Sequence, residues 1–206
     1  MPGTVGDDGA STIGHVHGLI FSSFRDYVAT AHGNETAQKV MAGEPVHVLA
    51  EAYPDERFTA VVERACEATG LPHGTLLRDF GAFTVEKTFT RLYPALFDLP
   101  GSARAFLLTV EKPIHEVVRV AIPDALPPEL EVSEISENAI SIVYTSPRRL
   151  CAMLRGLVEG TARHYGETVH IEERSCMHRG DRACTFEILF GQVVTNARDH
   201  SAARAN

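Results

Sequence analysis

The sequence predicts an α+β fold, with a helical N-terminal half followed by an antiparallel sheet that carries one long helix. Three observations lead there. Hydrophobic residues recur at helical spacing as far as about Val120. After Pro127-Pro128 the period drops to two, and one amphipathic stretch around Leu150–Thr161 separates the strands into pairs. The 206 residues make up one domain's length, and 44% hydrophobic with 22% charged residues is a globular mixture. The folded domain is placed at residues 15–192. Residues 1–14, rich in Gly, Asp, Ser and Thr, and residues 193–206 are expected to be flexible tails.

In chain order, Ile20, Phe21, Phe24, Tyr27 and Val28 fall on one side of a helix that ends near Gly33. Phe58, Val61, Val62, Ala65 and Cys66 repeat that spacing between Tyr53-Pro54-Asp55-Glu56 and Gly70. Shorter helical stretches follow at about 73–80, 83–97 and 101–110, punctuated by Pro94, Pro100, Pro113 and Pro123. Strands are expected over Glu129–Val132, Ala139–Tyr144, Thr168–Glu172 and Thr185–Phe190. In the last of these, Phe186, Ile188 and Phe190 share a face, with Cys184 just ahead of them. The long helix presents Leu150, Met153, Leu154, Leu157, Val158 and Thr161, and Gly166 lies just past its end. No internal repeat is present.

Charge narrows the function classes. The 19 Lys and Arg against 27 Asp and Glu leave −8, with no basic stripe, so nucleic acid and anionic membrane surfaces are poor partners. No apolar run reaches the roughly 20 residues of a membrane span, and the N-terminus has no secretory h-region. A cytoplasmic location is expected, with Cys66, Cys151, Cys176 and Cys184 as reduced thiols or, in part, metal ligands. Enzyme chemistry finds no support: Glu116 and Asp124 near His115 lack a nucleophile motif, there is no phosphate-binding Gly loop, and the acids are dispersed.

Most of the ten histidines read as surface or core residues. His115 stands apart, in Pro113-Ile114-His115-Glu116-Val117-Val118 at the start of a short helix, where an imidazole amid apolar residues suits a neutral axial donor to iron. Tyr144 and Ser146 point the same way along a strand, and Arg148 follows if the chain stays extended through Pro147. Two hydroxyls and a guanidinium then converge into a cradle for carboxylates.

His115, Pro128 and Tyr144-x-Ser146-x-Arg148, in this order and spacing, resemble the signature of the H-NOX family of haem nitric oxide/oxygen binding domains, which includes bacterial gas sensors and the sensory domain of soluble guanylate cyclase. The resemblance runs from Val16-His17-Gly18 to Phe190, through Tyr53-Pro54-Asp55-Glu56, Leu92-Tyr93-Pro94-Ala95-Leu96-Phe97, Ile122-Pro123-Asp124-Ala125-Leu126-Pro127-Pro128 and Gly156-Leu157-Val158-Glu159-Gly160. It implies haem b held between the helical half and the sheet. His115 would be the iron ligand, Tyr144, Ser146 and Arg148 would hold the propionates, and Pro128 would press on the porphyrin, with Ile20 packing on it.

Oxygen-binding members place a tyrosine on the long helix, where this chain has Met153 flanked by Leu154 and Leu157. Phe24, Val85 and Phe89 match other distal positions, and none donates a hydrogen bond; Tyr27 is placed off the pocket. The resemblance therefore implies a bacterial sensor of NO and CO that discriminates against O₂. It would have no catalysis of its own and would signal to a separate histidine kinase or cyclic-di-GMP enzyme by NO weakening the iron–His115 bond and the two halves shifting. The alternative is a haem-free module of the same fold that takes another hydrophobic ligand or a protein partner. Some members hold zinc through a cysteine-rich set. Cys151, Cys176 and Cys184 match three of its positions and Glu173 stands at the fourth, with Glu173 or His178 able to complete a tetrahedron; zinc, reduced thiols and a redox pair all remain open. Cys66 reads as core.

Overall fold

A computed structural model describes residues 14–110 and 127–191. Strand β1 (His15–His17) pairs antiparallel with β2 (Ala52–Pro54), and between them run α1 (Gly18–His32) and α2 (Asn34–Val40). Helices α3 (Asp55–Thr69) and α4 (His73–Phe83) follow, then a π-helical segment, Thr84–Phe89. Short helices α5 (Thr90–Leu92), α6 (Pro94–Asp98) and α7 (Ala103–Thr109) complete the described part of this half. The sheet comprises β3 (Glu129–Ser136), β4 (Ala139–Thr145), β5 (Val169–Ser175) and β6 (Cys184–Phe190), all antiparallel in the order β3-β4-β6-β5. Helix α8 (Cys151–His164) lies between β4 and β5 in the chain.

The predicted α+β class holds, and the differences have local causes. The short β1–β2 ribbon and α2 carry too few apolar positions for a period to show. The stretch expected as one helix over 83–97 is a π-turn, a single turn and a proline-started helix. Tyr93, immediately before Pro94, leaves the helical region at φ −130°, ψ 52°, as the proline ring requires of its predecessor. Helix α1 begins with the His17 Nδ1 accepting the Leu19 N–H (3.2 Å), and α3 ends at Gly70 in the left-handed region.

Two apolar cores lie on either side of α8. One gathers Phe21, Phe24, Val28, Phe58, Leu76 and Phe80 from α1, α3 and α4, and takes Met153 from α8. The other packs Ile140, Ile142, Phe186 and Ile188 of the sheet against Leu154 and Val158. Leu157 touches both. Helix α8 is thus the shared wall, and it meets α4 almost backbone to backbone. A Cβ on Gly156 would collide with the Arg78 carbonyl oxygen, and one on Gly81 with that of Met153. Only glycine permits this approach, and Arg78 caps the contact with a two-point ion pair to Glu159 (2.7 Å at each oxygen).

The acids are less uniformly solvated than their dispersal suggests. The Glu44 side chain is only 8% exposed, bonded by Arg57 (2.9 Å) and Arg64 (3.0 Å). His47 lies beside it at 3.6 Å, stacked on Phe21. Cys66 is half-buried at the margin of the helical core. Among the described residues no helix is long and apolar enough to cross a membrane.

Candidate functional site

The inward face of β4 presents Ile140, Ile142 and Tyr144, and Ser146 continues it just past the strand; Tyr144 is 3% and Ser146 4% exposed. The chain then turns instead of staying extended. Arg149 N–H donates to the Ser146 carbonyl (3.1 Å) and Arg148 N–H to Ser146 Oγ (3.3 Å). The expected straight run through Pro147 is therefore corrected: the turn, not strand alternation, places the guanidinium. Arg148 Nε donates to Asp55 Oδ1 and Nη2 to the His15 carbonyl, each at 2.7 Å. Tyr144 Oη accepts the Leu150 N–H (3.1 Å). Burial pushes the Tyr144 phenol up, so it keeps its proton at neutral pH. Tyr144 and Ser146 are buried, and the turn sets the largely buried Arg148 side chain next to them as a polar cluster. Asp55, which sequence reasoning did not assign to it, joins as the counter-charge. A cavity of about 400 Å³ opens alongside, lined in part by Val16, Asp55, Phe58, Pro147, Arg148 and Leu150.

The apolar candidates come from three elements. Ile20 and Phe24 lie on α1, Val85 and Phe89 in the π-helical segment, and Met153 and Leu157 on α8. Phe24, Val85 and Met153 are buried, and Ile20, Phe89 and Leu157 pack half-buried at the core edges. Tyr27 is buried among Phe24, Phe80 and Phe83, its phenol pushed up to about 12 by burial and then by Asp79 and Cys66. Beside this wall is a feature the sequence did not disclose: three buried hydroxyls. Ser23 Oγ lies 2.8 Å from Thr88 Oγ1 and 3.3 Å from Thr84 Oγ1, and Thr84 donates to the Phe80 carbonyl (2.8 Å). The two threonines are four residues apart, but no local pattern ties them to Ser23, 61 and 65 positions away. Pro128 is half-buried directly ahead of β3. His115 lies outside the described residues.

A second cluster forms where the N-terminus of α8 meets the β5–β6 turn. The Sγ atoms of Cys151, Cys176 and Cys184 lie within 4.8 Å of one another, all buried. Cys176 is 3.8 Å from Cys151 and 3.9 Å from Cys184. The expected hairpin brings the two thiols together by a 3₁₀ turn at Met177–Arg179, closed by Gly180 at φ 95°. Met177 N–H donates to Cys184 Sγ (3.2 Å). Burial pushes the Cys151 thiol up to about 12 and that of Cys184 up as well, so without a cation both are protonated. Glu173 is bonded to Arg179 (2.7 Å), and His178 Nε2 lies 2.8 Å from the Arg149 carbonyl oxygen.

Compared with known families, residues 17–173 match the haem-NO-binding family. The chain belongs to that family. Solved H-NOX structures share its fold. The protein from S. oneidensis in the Fe(II)NO state superposes with a TM-score of 0.78 at 23% identity, over 86% of this chain and 100% of that one. The S. oneidensis domain in the Fe(II)CO state gives 0.77 at 24%, over 86% and 99%. A mutant of the K. algicida protein, Fe(II) and unliganded, gives 0.75 at 23%, over 87% and 98%. A search of curated proteins finds no significant match. The haem-NO-binding match begins at His17, the last residue of β1, covers β2, the apolar wall, the Tyr144 cluster and Cys151, and ends at Glu173, before Cys176 and Cys184.

Proposed function

We propose that this chain is a haem-based gas sensor that binds NO and CO at ferrous iron, discriminates against O₂ and passes its state to a separate signalling protein. The observation that carries the reading is the buried cluster of Tyr144, Ser146 and Arg148. Two buried hydroxyls and, at the turn beside them, a largely buried guanidinium suit an acidic ligand, and the donor set fits haem propionates. Asp55 shares the guanidinium, so an incoming carboxylate competes with it for the same donor.

In this reading His115 is the proximal iron ligand. Tyr144, Ser146 and Arg148 hold the propionates, and Pro128, Ile20, Phe24, Phe89, Met153 and Leu157 enclose the macrocycle. Bound haem supplies the iron that takes up the gas. The rest of the selectivity belongs to the polypeptide. Bound O₂ gains from a hydrogen-bond donor far more than NO or CO does. Phe24, Val85 and Met153 offer none, and Ser23, Thr84 and Thr88 bond to one another and to the Phe80 carbonyl.

The domain spans residues 15–192, works without catalysis, and acts in the cytoplasm of a bacterium on a histidine kinase or cyclic-di-GMP enzyme. Nucleic acid and membrane have no part in it, in keeping with the −8 charge. Solved relatives in Fe(II)NO and Fe(II)CO states support this choice of gases. Zinc is proposed as a second, structural component at Cys151, Cys176 and Cys184, because three buried sulfurs at this separation match the thiolate edge of a tetrahedral site. The test is an absorption spectrum. Purified, reduced protein should show a Soret band that moves with NO and with CO and forms no stable complex in air. A colourless protein that rejects added haemin would leave a haem-free module of the same fold.

A further inference from the structure

We infer that His178, rather than Glu173, completes the metal site begun by Cys151, Cys176 and Cys184, giving a three-thiolate, one-imidazole zinc centre that fastens α8 to the β5–β6 turn. This rests on the proposal that the thiol cluster takes zinc.

Two neighbours compete for the fourth position, and three observations separate them. The first is occupancy. Glu173 Oε1 is held by Arg179 Nη1 at 2.7 Å, so ligation would break an existing ion pair. The second is tautomer. The Arg149 carbonyl can only accept, so His178 Nε2, 2.8 Å away, carries the proton and donates it, leaving the Nδ1 lone pair for a metal. Metal-binding histidines are commonly prepared in this way, with one ring N–H on a backbone carbonyl and the other nitrogen on the ion. The same Arg149 oxygen lies 3.7 Å from Cys151 Sγ, so it anchors the imidazole beside a thiol of the cluster. Arg149 holds that carbonyl in place at φ 51°, the only positive φ of a non-glycine residue among those described.

The third observation is charge. Zinc with three thiolates and a neutral imidazole carries −1, whereas a carboxylate in the fourth place would make it −2 amid three buried sulfurs. Removing charge from water is costly, so the imidazole is the cheaper ligand. Uptake replaces three S–H protons, released to solvent, with three S–Zn bonds. The imidazole stands outside the 4.8 Å group of sulfurs, so the turn must close onto the ion as it binds.

The experiment compares wild type with His178→Ala, His178→Gly, Glu173→Gln and Cys176→Ala. It reads zinc per chain, zinc affinity by chelator competition, and the visible bands of the cobalt(II)-substituted protein. His178 is exposed, so its loss should leave the fold intact, which circular dichroism would verify. Wild type and Glu173→Gln should bind one zinc with equal affinity, and Cys176→Ala should lose it. His178→Ala should bind at least about tenfold more weakly, taking the effect of lost supporting groups as a floor. Its cobalt bands should shift, and added imidazole should restore those of His178→Gly. Undiminished affinity in His178→Ala, or loss of zinc in Glu173→Gln, would overturn the assignment while leaving zinc in place. A wild-type protein that binds no zinc would overturn both.

Discussion

Arg148 Nε lies 2.7 Å from Asp55 Oδ1, which fastens the turn after β4 to the first residue of α3, 93 positions earlier in the chain. The same guanidinium reaches the His15 carbonyl, so one side chain joins the sheet, α3 and the β1–β2 ribbon. Breaking a charge-assisted bond between two largely buried groups costs about 1.5–3 kcal/mol. Asp55→Asn should lower stability to urea by about that much. It should also remove the anion that competes for the guanidinium, so haem retained after gel filtration should rise or hold, whereas Arg148→Ala should lose haem as well as stability.

The α4–α8 contact gives a second prediction. A methyl group at Gly156 meets the Arg78 backbone, which cannot yield without separating the helices. Gly156→Ala should destabilise by about 1–3 kcal/mol or more, the usual penalty for overpacking. Gly74, in α4, is the control, because a methyl group added there meets nothing within 4 Å. Gly74→Ala should stabilise by roughly 0.5–1 kcal/mol. Thermal melts of the two variants should move in opposite directions.

Two histidines should make stability fall in mild acid. Burial holds His47 below the usual histidine value; beside it Glu44 pulls upward, while Arg57 and Arg25 push downward. Burial lowers His17 too, and its Nδ1 must stay unprotonated to accept the Leu19 N–H. With folded values below the ordinary 6.5, the unfolded chain binds more protons in that window. Stability should therefore be complete above about pH 7 and decline as pH falls through about 6.5 toward the depressed folded values. His17→Asn, which caps without titrating, should flatten part of that slope in urea midpoints measured from about pH 7.5 to 5.5.

Gas selectivity gives a fourth. Met153 is buried on α8, where it joins the Phe24 cluster, and it has no hydrogen to donate. Met153→Tyr would place a phenol in that wall. The reduced variant should then show a Soret shift in air that wild type lacks; identical spectra in air would remove Met153 from the wall that faces the gas.

The helical spacing of Phe58, Val61, Val62 and Ala65, and the alternation of Cys184, Phe186 and Ile188, were legible because each buries one face against a single core. The Tyr144, Ser146 and Arg148 cluster was legible as a motif but not as geometry, since the turn at 146–149 depends on Ser146 Oγ bonding Arg148 N–H. Asp55 was invisible as its partner because a contact 93 residues away leaves no local period. The Ser23, Thr84 and Thr88 hydroxyls were hidden for the same reason. Polar residues inside a core satisfy one another only after α1 and the π-helical segment have met. The three cysteines were legible as neighbours, helped by the Gly180 turn.

The claim on which the functional account turns is that the His115 imidazole holds the iron while Tyr144, Ser146 and Arg148 grip the acidic edge of the haem. The absorption spectrum of His115→Gly, recorded with and without added imidazole, tests it most directly. The account predicts that the Soret band of the reduced variant depends on added imidazole and returns to the wild-type position when it is supplied. A spectrum that is unchanged by the substitution and indifferent to imidazole would contradict it.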